Sequence, residues 1–369
     1  MSVLSVSNIY KRFNLEAGFF ARFGRFIDAV NGVSFRIGKN EAYGLVGESG
    51  CGKTTTARML VRMYEADSGE IVFNDESAQV NISILKKESL QLYREKVRYI
   101  FQDPAKSLNP RMSVYEVLVS GCRKPLRKRG VSEKELREKA SAILEEVGLQ
   151  AADLEKRPSE FSGGQRQRIS IARALLMEPE VLICDEVVSA LDVSVQGQIL
   201  NLLLDIRKKR NISFLFIAHD LKVACYFCDR IGVMYKGELM EEAKANDLYI
   251  EALHPYTRLL FSSASGIAKE LGVSSEECGV DSVKCGVSSE KCGVENKKTM
   301  PNTPHSSLLT PHSSLLTPNP LPSSCPFAPR CPNVTERCLN EHPELIKIKD
   351  GHLIRCFNYA APNLSSDNT

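Results

Sequence analysis

The chain has 369 residues, of which 43% are hydrophobic and 25% charged, and its formal net charge is +3. This length allows one large core and a smaller second unit, and the composition is that of an ordinary globular protein. The net charge by itself argues neither for nor against nucleic-acid binding. No apolar run approaches the length of a bilayer-spanning helix, and the N-terminus lacks the basic start and long apolar stretch of a signal peptide. We therefore expect a cytosolic protein that reaches a membrane only through a partner.

Strand-like apolar runs alternate with amphipathic helical stretches from residue 1 to about 265. This alternation predicts an α/β fold, in which helices flank a mainly parallel sheet. A more helical and polar insertion is expected at about 89–158. We interpret residues 1–265 as one domain that contains this insertion.

Short polar repeats follow this domain. GVSSEECGV at 272–280 returns as GVSSEKCGV at 286–294, and TPHSSLL occurs twice in tandem from Thr303. These repeats are too short and too polar to bury a core. We interpret 266–322 as a linker of low complexity that is disordered, and 323–369 as a compact Cys-rich extension.

A phosphate-binding loop follows the apolar run Ala42–Val46. Residues 47–54 read GESGCGKT, which fits the pattern G-x-x-x-x-G-K-[ST], and a helix is predicted at Thr55–Met63. Backbone N–H groups of such a loop converge on phosphate oxygens, while Lys53 reaches the outer phosphates and the Thr54 hydroxyl holds Mg²⁺. A glycine-rich turn without a ligand is the alternative. The ATP-binding candidates here are Gly47, Glu48, Ser49, Gly50, Cys51, Gly52, Lys53, Thr54 and Thr55.

Two carboxylates and a histidine end two further apolar runs. Val181–Cys184 is followed by Asp185 and Glu186 at the strand end where open parallel sheets bind ligands. We expect Asp185 to hold Mg²⁺ and Glu186 to polarise the attacking water as general base. The alternative is that both carboxylates merely end a strand. His219 follows the run Ile212–Ala218, and by itself it is either a structural residue or a contact to the terminal phosphate.

A second anion-binding site is predicted at another helix start. The segment FSGGQ at 161–165 precedes a helix predicted at Arg166–Met177, and a serine with two glycines at a helix N-terminus suits an anion. Two phosphate sites on separate helix starts suggest that two chains share each nucleotide.

At this point the sequence resembles the ABC transporter ATPases. The resemblance implies a P-loop NTPase fold of the ABC type, with a helical signature subdomain. The motifs that carry it lie in family order: Phe13 as the adenine-stacking aromatic, the Walker A motif at 47–54, the Q-loop glutamine Gln102, the signature loop at 161–165, the Walker B motif at 181–186, the D-loop at 189–192 and the switch histidine His219.

The resemblance also implies the ligands and the role of each residue. ATP and Mg²⁺ are the expected cofactors. The implied catalytic residues are Glu186, His219 and Gln102, and the implied Mg²⁺ ligands are Thr54, Gln102 and Asp185. ATP contacts outside the Walker A motif are implied for Phe13, Ser162, Gly163, Gly164, Gln165 and Asp192.

Finer features resemble the oligopeptide and dipeptide importers. FQDP at 101–104, SLNPRM at 107–112, HPYT at 254–257 and the Cys-rich tail look like the F-type ATPase of that branch. The resemblance implies a non-identical D-type ATPase partner, two transmembrane permease subunits, an extracytoplasmic peptide-binding protein and no nucleic acid. It places the chain peripherally on the cytoplasmic face of the cytoplasmic membrane.

Other functions stay open beside peptide import. The cargo could be nickel or another small solute, transport could run outward, and an ABC ATPase without a transport role is a further alternative. The sequence departs from the branch at Phe161, where leucine is usual, at Val187, where proline is usual, and at Gly197, where alanine is usual. The Val187 departure puts the hydrolysis rate in question.

The tail holds four cysteines with the spacing C-x5-C-x6-C-x17-C. Four thiolates suit a [4Fe–4S] cluster or a structural zinc ion, and the absence of C-x-x-C pairs among them disfavours a zinc ribbon. The tail resembles the extension of peptide-importer ATPases, some of which carry an iron–sulfur cluster. A [4Fe–4S] cluster, zinc and no metal are the three alternatives for Cys325, Cys331, Cys338 and Cys356.

Overall fold

The computed structural model describes residues 2–14, 26–75, 79–263 and 324–359. The linker predicted at 266–322 lies outside the described residues, so its order and the exact domain boundaries stay predictions.

Twelve strands in two sheets are found in the described residues. They are β1 (Ser2–Asn14), β2 (Phe26–Gly38), β3 (Ala42–Val46), β4 (Ser68–Asn74), β5 (Gln79–Asn81), β6 (Val97–Ile100), β7 (Val181–Asp185), β8 (Ser213–Ala218), β9 (Arg230–Tyr235), β10 (Glu238–Lys244), β11 (Ile346–Lys349) and β12 (His352–Ile354).

The smaller sheet is antiparallel, with the strand order β2-β1-β4-β5. The larger sheet has the order β11-β12-β10-β9-β3-β8-β7-β6, and its strands from β9 to β6 are parallel. Every residue of β3, β7 and β8 is buried, as expected for strands covered on both faces. These three strands therefore bring their carboxyl ends together in the interior of the larger sheet.

Two hydrophobic cores lie on opposite faces of the larger sheet. Along β7, Val181 and Ile183 face the core shared with the smaller sheet, while Leu182 and Cys184 face the core shared with most of the helices. This alternation follows from the two-residue period of a strand. The side chains of residues 181–184 are thus divided between the two cores. This packing determines the position of the two carboxylates that follow in the sequence.

The described helices are mostly short. They are α1 (Lys53–Leu60), α2 (Lys87–Lys96), α3 (Pro104–Ser107), α4 (Val114–Val119), α5 (Arg123–Lys128), α6 (Glu133–Glu146), α7 (Gly163–Leu175), α8 (Val193–Arg210), α9 (Leu221–Phe227), α10 (Ala245–Ile250), α11 (Pro255–Ser263) and α12 (Glu336–Asn340). Over the part of the chain described, none of them combines the length and the apolar character needed to cross a bilayer.

Capping residues define the helical insertion. The Ser132 hydroxyl accepts a hydrogen bond from the backbone of Glu135, whose carboxylate accepts one in return from the Ser132 N–H, and α6 begins there. Ser113 and Glu116 start α4 in the same way. The insertion predicted at 89–158 holds α3 to α6, but it also holds β6, which is the edge strand of the larger sheet.

The Cys-rich extension is joined to the larger sheet. Strand β12 pairs antiparallel with β10, with Ile354 opposite Glu241. The Glu241 carboxylate is fully buried and lies 2.8 Å from the His352 Nε2 atom. It also accepts hydrogen bonds from the backbone N–H groups of Leu253 and His254, at 2.8 and 3.1 Å. A buried carboxylate with these partners ties the extension to the segment that begins α11.

His254 should make stability depend on pH. Its side chain is 2% exposed, its Nδ1 atom accepts a hydrogen bond from the Tyr256 N–H at 3.0 Å, and burial lowers its pKa from 6.5 to about 4. Because the folded pKa lies below the unfolded one, the contribution of the neutral ring is complete above pH 6.5 and is lost as the pH falls towards 4. The full loss is about 3 kcal/mol of unfolding free energy.

His254→Asn keeps an acceptor for the Tyr256 N–H and removes the titration. Urea unfolding at pH 7, 5.5 and 4.5 should therefore show a shallower loss of stability in this variant than in the wild type. Equal slopes for the two proteins would mean that His254 does not titrate in this range.

Candidate active site

The phosphate loop lies between β3 and α1, and two of its glycines allow close backbone approach. A Cβ atom on Gly47 would lie 2.2 Å from the Met234 carbonyl oxygen, and one on Gly52 would lie 2.2 Å from the Ala29 carbonyl oxygen. Gly52 also has a φ of 107°, which disfavours any side chain. The loop can therefore adopt this tight path with glycine at both positions.

Lys53 is buried beneath this loop. Its side chain is 3% exposed, and its Nζ atom donates hydrogen bonds to the carbonyl oxygens of Gly47 at 2.7 Å and Glu48 at 3.0 Å. The ammonium also lies 4.0 Å from a Glu186 carboxylate oxygen. The loop thus holds a positive charge next to the Glu186 carboxylate.

Cys51 belongs to the same loop and is also buried. Its Sγ atom lies 3.8 Å from the Lys53 Nζ atom, but burial raises the pKa of the Cys51 thiol. The neutral thiol is therefore the stable form, in keeping with the role of a small packing residue.

Asp185 lies at the end of β7 opposite the start of α1. Its side chain is 2% exposed, and its Oδ1 atom accepts a hydrogen bond from the Thr54 hydroxyl at 2.9 Å. A carboxylate and a hydroxyl at this distance are the oxygen ligands that Mg²⁺ takes in proteins. These two residues therefore fit the predicted metal position.

Tyr99 is a site residue that the sequence pattern did not indicate. Its hydroxyl donates to the Asp185 Oδ2 atom at 2.5 Å, and burial together with the Asp185 charge raises the pKa of the phenol. Tyr99 lies on β6, which pairs in parallel with β7. Its place near the end of a strand three residues before Gln102 is the signal that could have identified it.

Glu186 has a left-handed backbone conformation, and its carboxylate is held by a hydrogen bond. Its φ is 48°, its N–H donates to the Ile217 carbonyl at 3.1 Å, and its own carbonyl accepts from the Ser189 hydroxyl at 2.9 Å. The carboxylate accepts a hydrogen bond from the Gln102 side chain at 2.7 Å. A left-handed backbone costs about 1–2 kcal/mol in a residue other than glycine, so the surroundings must enforce it.

His219 follows β8 and its side chain is exposed. It lines one cavity together with Glu186, Ser189 and Gln196. The next residue, Asp220, caps α9 by accepting a hydrogen bond from the Lys222 N–H at 2.8 Å. The structure thus brings the predicted histidine and the predicted base to the same cavity.

The predicted signature loop, residues 161–165, includes the N-cap of α7. The Ser162 hydroxyl accepts from the Gln165 N–H at 3.3 Å, and the Gln165 side chain accepts from the Ser162 N–H at 2.9 Å. A Cβ atom on Gly164 would lie 2.6 Å from a methyl carbon of Val195, so α7 and α8 approach closely there. Phe161 is buried, whereas Ser162 and Gly163 are exposed. The helix start is thus presented to solvent.

Phe13 and Asp192 lie at the edges of these elements. Phe13 is half-buried near the end of β1, and its ring packs edge-on against Tyr64 with 5.2 Å between ring centroids. Asp192 is exposed at the start of α8, and its carbonyl accepts a hydrogen bond from the Gln196 N–H at 2.8 Å.

Val187, the residue next to Glu186 where the branch usually has proline, is 2% exposed. It packs into the core that the larger sheet shares with most of the helices.

A [4Fe–4S] cluster, zinc and no metal were the three alternatives for the four tail cysteines. Residues 324–359 include all four, and no group of three or more His, Cys, Asp or Glu side chains in the described ranges is placed to hold a metal ion. Burial raises the pKa of the Cys325 and Cys356 thiols, and the other tail cysteines lie close enough to raise these pKa values further. The Cys338 Sγ atom instead lies 3.2 Å from the Thr335 hydroxyl. Among the described residues, the structure therefore gives no support to a [4Fe–4S] cluster or a zinc ion at these cysteines.

Two protein families match the chain. The family described as ABC transporter matches residues 30–189, which include residues 47–54 and the carboxylates of Asp185 and Glu186. The family described as oligopeptide/dipeptide transporter, C-terminal region, matches residues 240–280 and 298–338. The second match overlaps the segment predicted from HPYT at 254–257 and part of the Cys-rich tail.

Curated relatives are similar over most of the chain. The oligopeptide transport ATP-binding protein OppF of Bacillus subtilis (strain 168) is 48% identical over 237 residues, which is 64% of this chain and 76% of the relative. The oligopeptide transport ATP-binding protein AppF of the same organism is 36% identical over 361 residues, which is 97% of this chain and 98% of the relative.

Solved structures share the fold. A dimeric structure of the ATP-binding cassette MJ0796 in a post-hydrolysis state, bound to ADP and Pi, has a TM-score of 0.57 and 26% identity and covers 66% of this chain and 98% of its own. The structure of cbiO1 from Clostridium perfringens, part of the ABC transporter complex cbiONQ, has the same TM-score and identity and covers 68% and 91%. The predicted ABC-type ATPase fold is confirmed.

Proposed function

Because the chain belongs to the ABC transporter family, among the oligopeptide transport ATP-binding proteins, we propose that it hydrolyses ATP to power the import of short peptides across a membrane. One observation carries the catalytic part of this proposal. Lys53, the Thr54–Asp185 pair and the Glu186–Gln102 pair converge where β3 and β7 end. These are the groups that phosphoryl transfer to water requires.

The phosphate loop would bind the nucleotide. Its backbone N–H groups and the Lys53 ammonium meet the phosphate oxygens, and Phe13 stacks on adenine. Thr54 and Asp185 would hold Mg²⁺, with Gln102 as a further ligand. When bound there, Mg²⁺ would supply positive charge that stabilises the negative charge developing on the outer phosphates.

Glu186 would act on the attacking water. Its carboxylate is 16% exposed, so a water molecule can reach it, and Gln102 holds its orientation. In this position Glu186 can accept the water proton as oxygen attacks the terminal phosphate. His219 lines the same cavity and would contact that phosphate.

We propose that hydrolysis needs a second ATPase chain. The exposed Ser162–Gln165 helix start would contact a nucleotide held by the phosphate loop of the partner, with Asp192 beside it. The partner is a D-type subunit, and the pair drives two permease subunits that receive peptide from an extracytoplasmic binding protein. The chain would act peripherally on the cytoplasmic face of the membrane. The proposal includes no iron–sulfur cluster, because the four tail cysteines form no metal-binding group.

Uptake by the reconstituted complex tests this function. We expect vesicles that hold this chain, a D-type ATPase and the two permease subunits to accumulate a radiolabelled tetrapeptide when ATP and the binding protein are supplied. ADP should give no uptake. Radiolabelled nickel is the control cargo, and ATP-driven uptake of nickel without uptake of peptide would contradict the peptide assignment.

A further inference from the structure

A side chain of the Cys-rich extension contacts the phosphate loop. The two terminal nitrogens of Arg330 donate to the two carboxylate oxygens of Glu48, both at 2.8 Å. The partners are 282 residues apart in sequence. The Arg330 guanidinium lowers the pKa of the Glu48 carboxyl, so this carboxylate is charged at neutral pH. This paired geometry fixes orientation as well as distance.

Aromatic packing holds Arg330 in this place. It ends a single 3-10 turn, Ala328–Arg330, directly after Phe327, which is 1% exposed. The Phe327 ring packs edge-on against Tyr235 with centroids 5.3 Å apart, and the Arg330 guanidinium carbon lies 5.8 Å from the Tyr235 centroid. A planar cation next to aromatic rings is favourable and limits its rotamers. The extension therefore presents a preorganised guanidinium to the loop.

A second group holds the backbone of the same loop residue. The Glu48 N–H donates to the Tyr256 hydroxyl at 2.9 Å, and the Tyr256 ring packs 5.4 Å from Phe327. The Glu48 carbonyl accepts one of the hydrogen bonds that hold Lys53, at 3.0 Å. Glu48 is thus tied at its N–H, its carbonyl and its carboxylate, and it connects the extension with the phosphate-binding lysine.

We infer that Arg330 is a positioning residue for the phosphate loop and acts through Glu48. This inference rests on the proposed ATP site. With Arg330 in place, the loop is held in its binding conformation before the nucleotide arrives. Without it, binding must order the loop, which lowers affinity. The Glu186–Gln102 pair lies outside this contact, so catalysis in the bound complex should continue.

Nucleotide affinity of the full chain tests the inference. Arg330→Ala should weaken binding of a fluorescent ATP analogue, and raise the KM for ATP, by roughly three- to five-fold, because both partners are about two-fifths exposed and such pairs are weak. The kcat with the partner ATPase present should not change. Arg330→Lys, which keeps the charge without the paired geometry, should give an intermediate loss.

A double-mutant comparison with Glu48 distinguishes a positioning role of Arg330 from a general effect on the stability of the protein. Glu48→Gln should cause a similar loss, and the Arg330→Ala change should have no further effect in the Glu48→Gln background. High salt should reduce the difference between wild type and Arg330→Ala. Lys347→Ala is the matched control, since Lys347 pairs with Asp350 within the extension and both are exposed, and it should leave affinity unchanged.

The outcomes are distinct. If the wild type binds no ATP analogue, the proposed ATP site itself is wrong. If the wild type binds but Arg330→Ala and Glu48→Gln have no effect, or have independent additive effects, the positioning role is overturned. If Arg330→Ala alone fails to fold by circular dichroism, Arg330→Lys and Glu48→Gln decide the matter.

Discussion

Glu186→Gln is expected to lower steady-state ATP turnover by about 10²- to 10⁴-fold, the range of a general base. Glutamine has nearly the same shape but cannot accept the water proton. The amide of the new glutamine can still form a hydrogen bond with Gln102, whose side chain offers both a donor and an acceptor. The nucleotide should therefore bind with an affinity close to that of the wild type, because Lys53 and the loop backbone are unchanged.

This result is measured as phosphate release by the full chain with its partner ATPase, alongside binding of a fluorescent ATP analogue. Glu251→Gln is the control, since Glu251 is an exposed carboxylate outside the proposed site residues, and it should retain turnover. Near wild-type turnover by Glu186→Gln would show that another group is the base.

Lys53→Ala is expected to abolish tight ATP binding. Hydrogen bonds to charged groups contribute about 1.5–3 kcal/mol, which corresponds to a loss in affinity of about 10- to 150-fold. The side chain is 3% exposed and bonded to two loop carbonyls, so its removal also leaves the Gly47 and Glu48 carbonyls without this donor. The loss of the positive charge and the two carbonyl oxygens left without a donor both weaken the binding of phosphate.

Equilibrium titration with the fluorescent analogue measures this loss. Lys208→Ala is the control, because Lys208 is exposed in the last turn of α8 and should not affect binding. An affinity of Lys53→Ala within three-fold of the wild type would contradict the assignment of the loop as the phosphate site. The two variants together separate binding from catalysis. Lys53→Ala lowers the affinity for nucleotide, whereas Glu186→Gln lowers turnover and leaves this affinity close to that of the wild type.

Several parts of the site could be predicted because their signals are local. The motif of the phosphate loop is a continuous stretch of eight residues. The structure places this stretch between a buried strand and a helix, as the motif requires. The apolar run at 181–184 predicts a strand, and the structure ends β7 at Asp185. Helix bounds were less accurate: α1 begins at Lys53 rather than Thr55, and α7 begins at Gly163 rather than Arg166.

Other parts could not be predicted because their partners are remote in sequence. Tyr99 reaches Asp185 across two neighbouring strands. The cysteine spacing suggested a metal site as one of three alternatives, but chain spacing does not determine how four thiols are placed relative to one another. The structure shows no metal-binding group among the described residues there.

By itself, the sequence determined the family, the ABC-type fold and the identity of the loop, carboxylate and histidine candidates, since each depends on residues adjacent in the chain. The tertiary structure alone decided how these candidates meet: Gln102 on Glu186, Thr54 on Asp185, and Arg330 on Glu48. Such contacts depend on strand order, on sheet register and on the docking of the extension against β10. These features arise from packing over the whole core and leave no local pattern in the sequence.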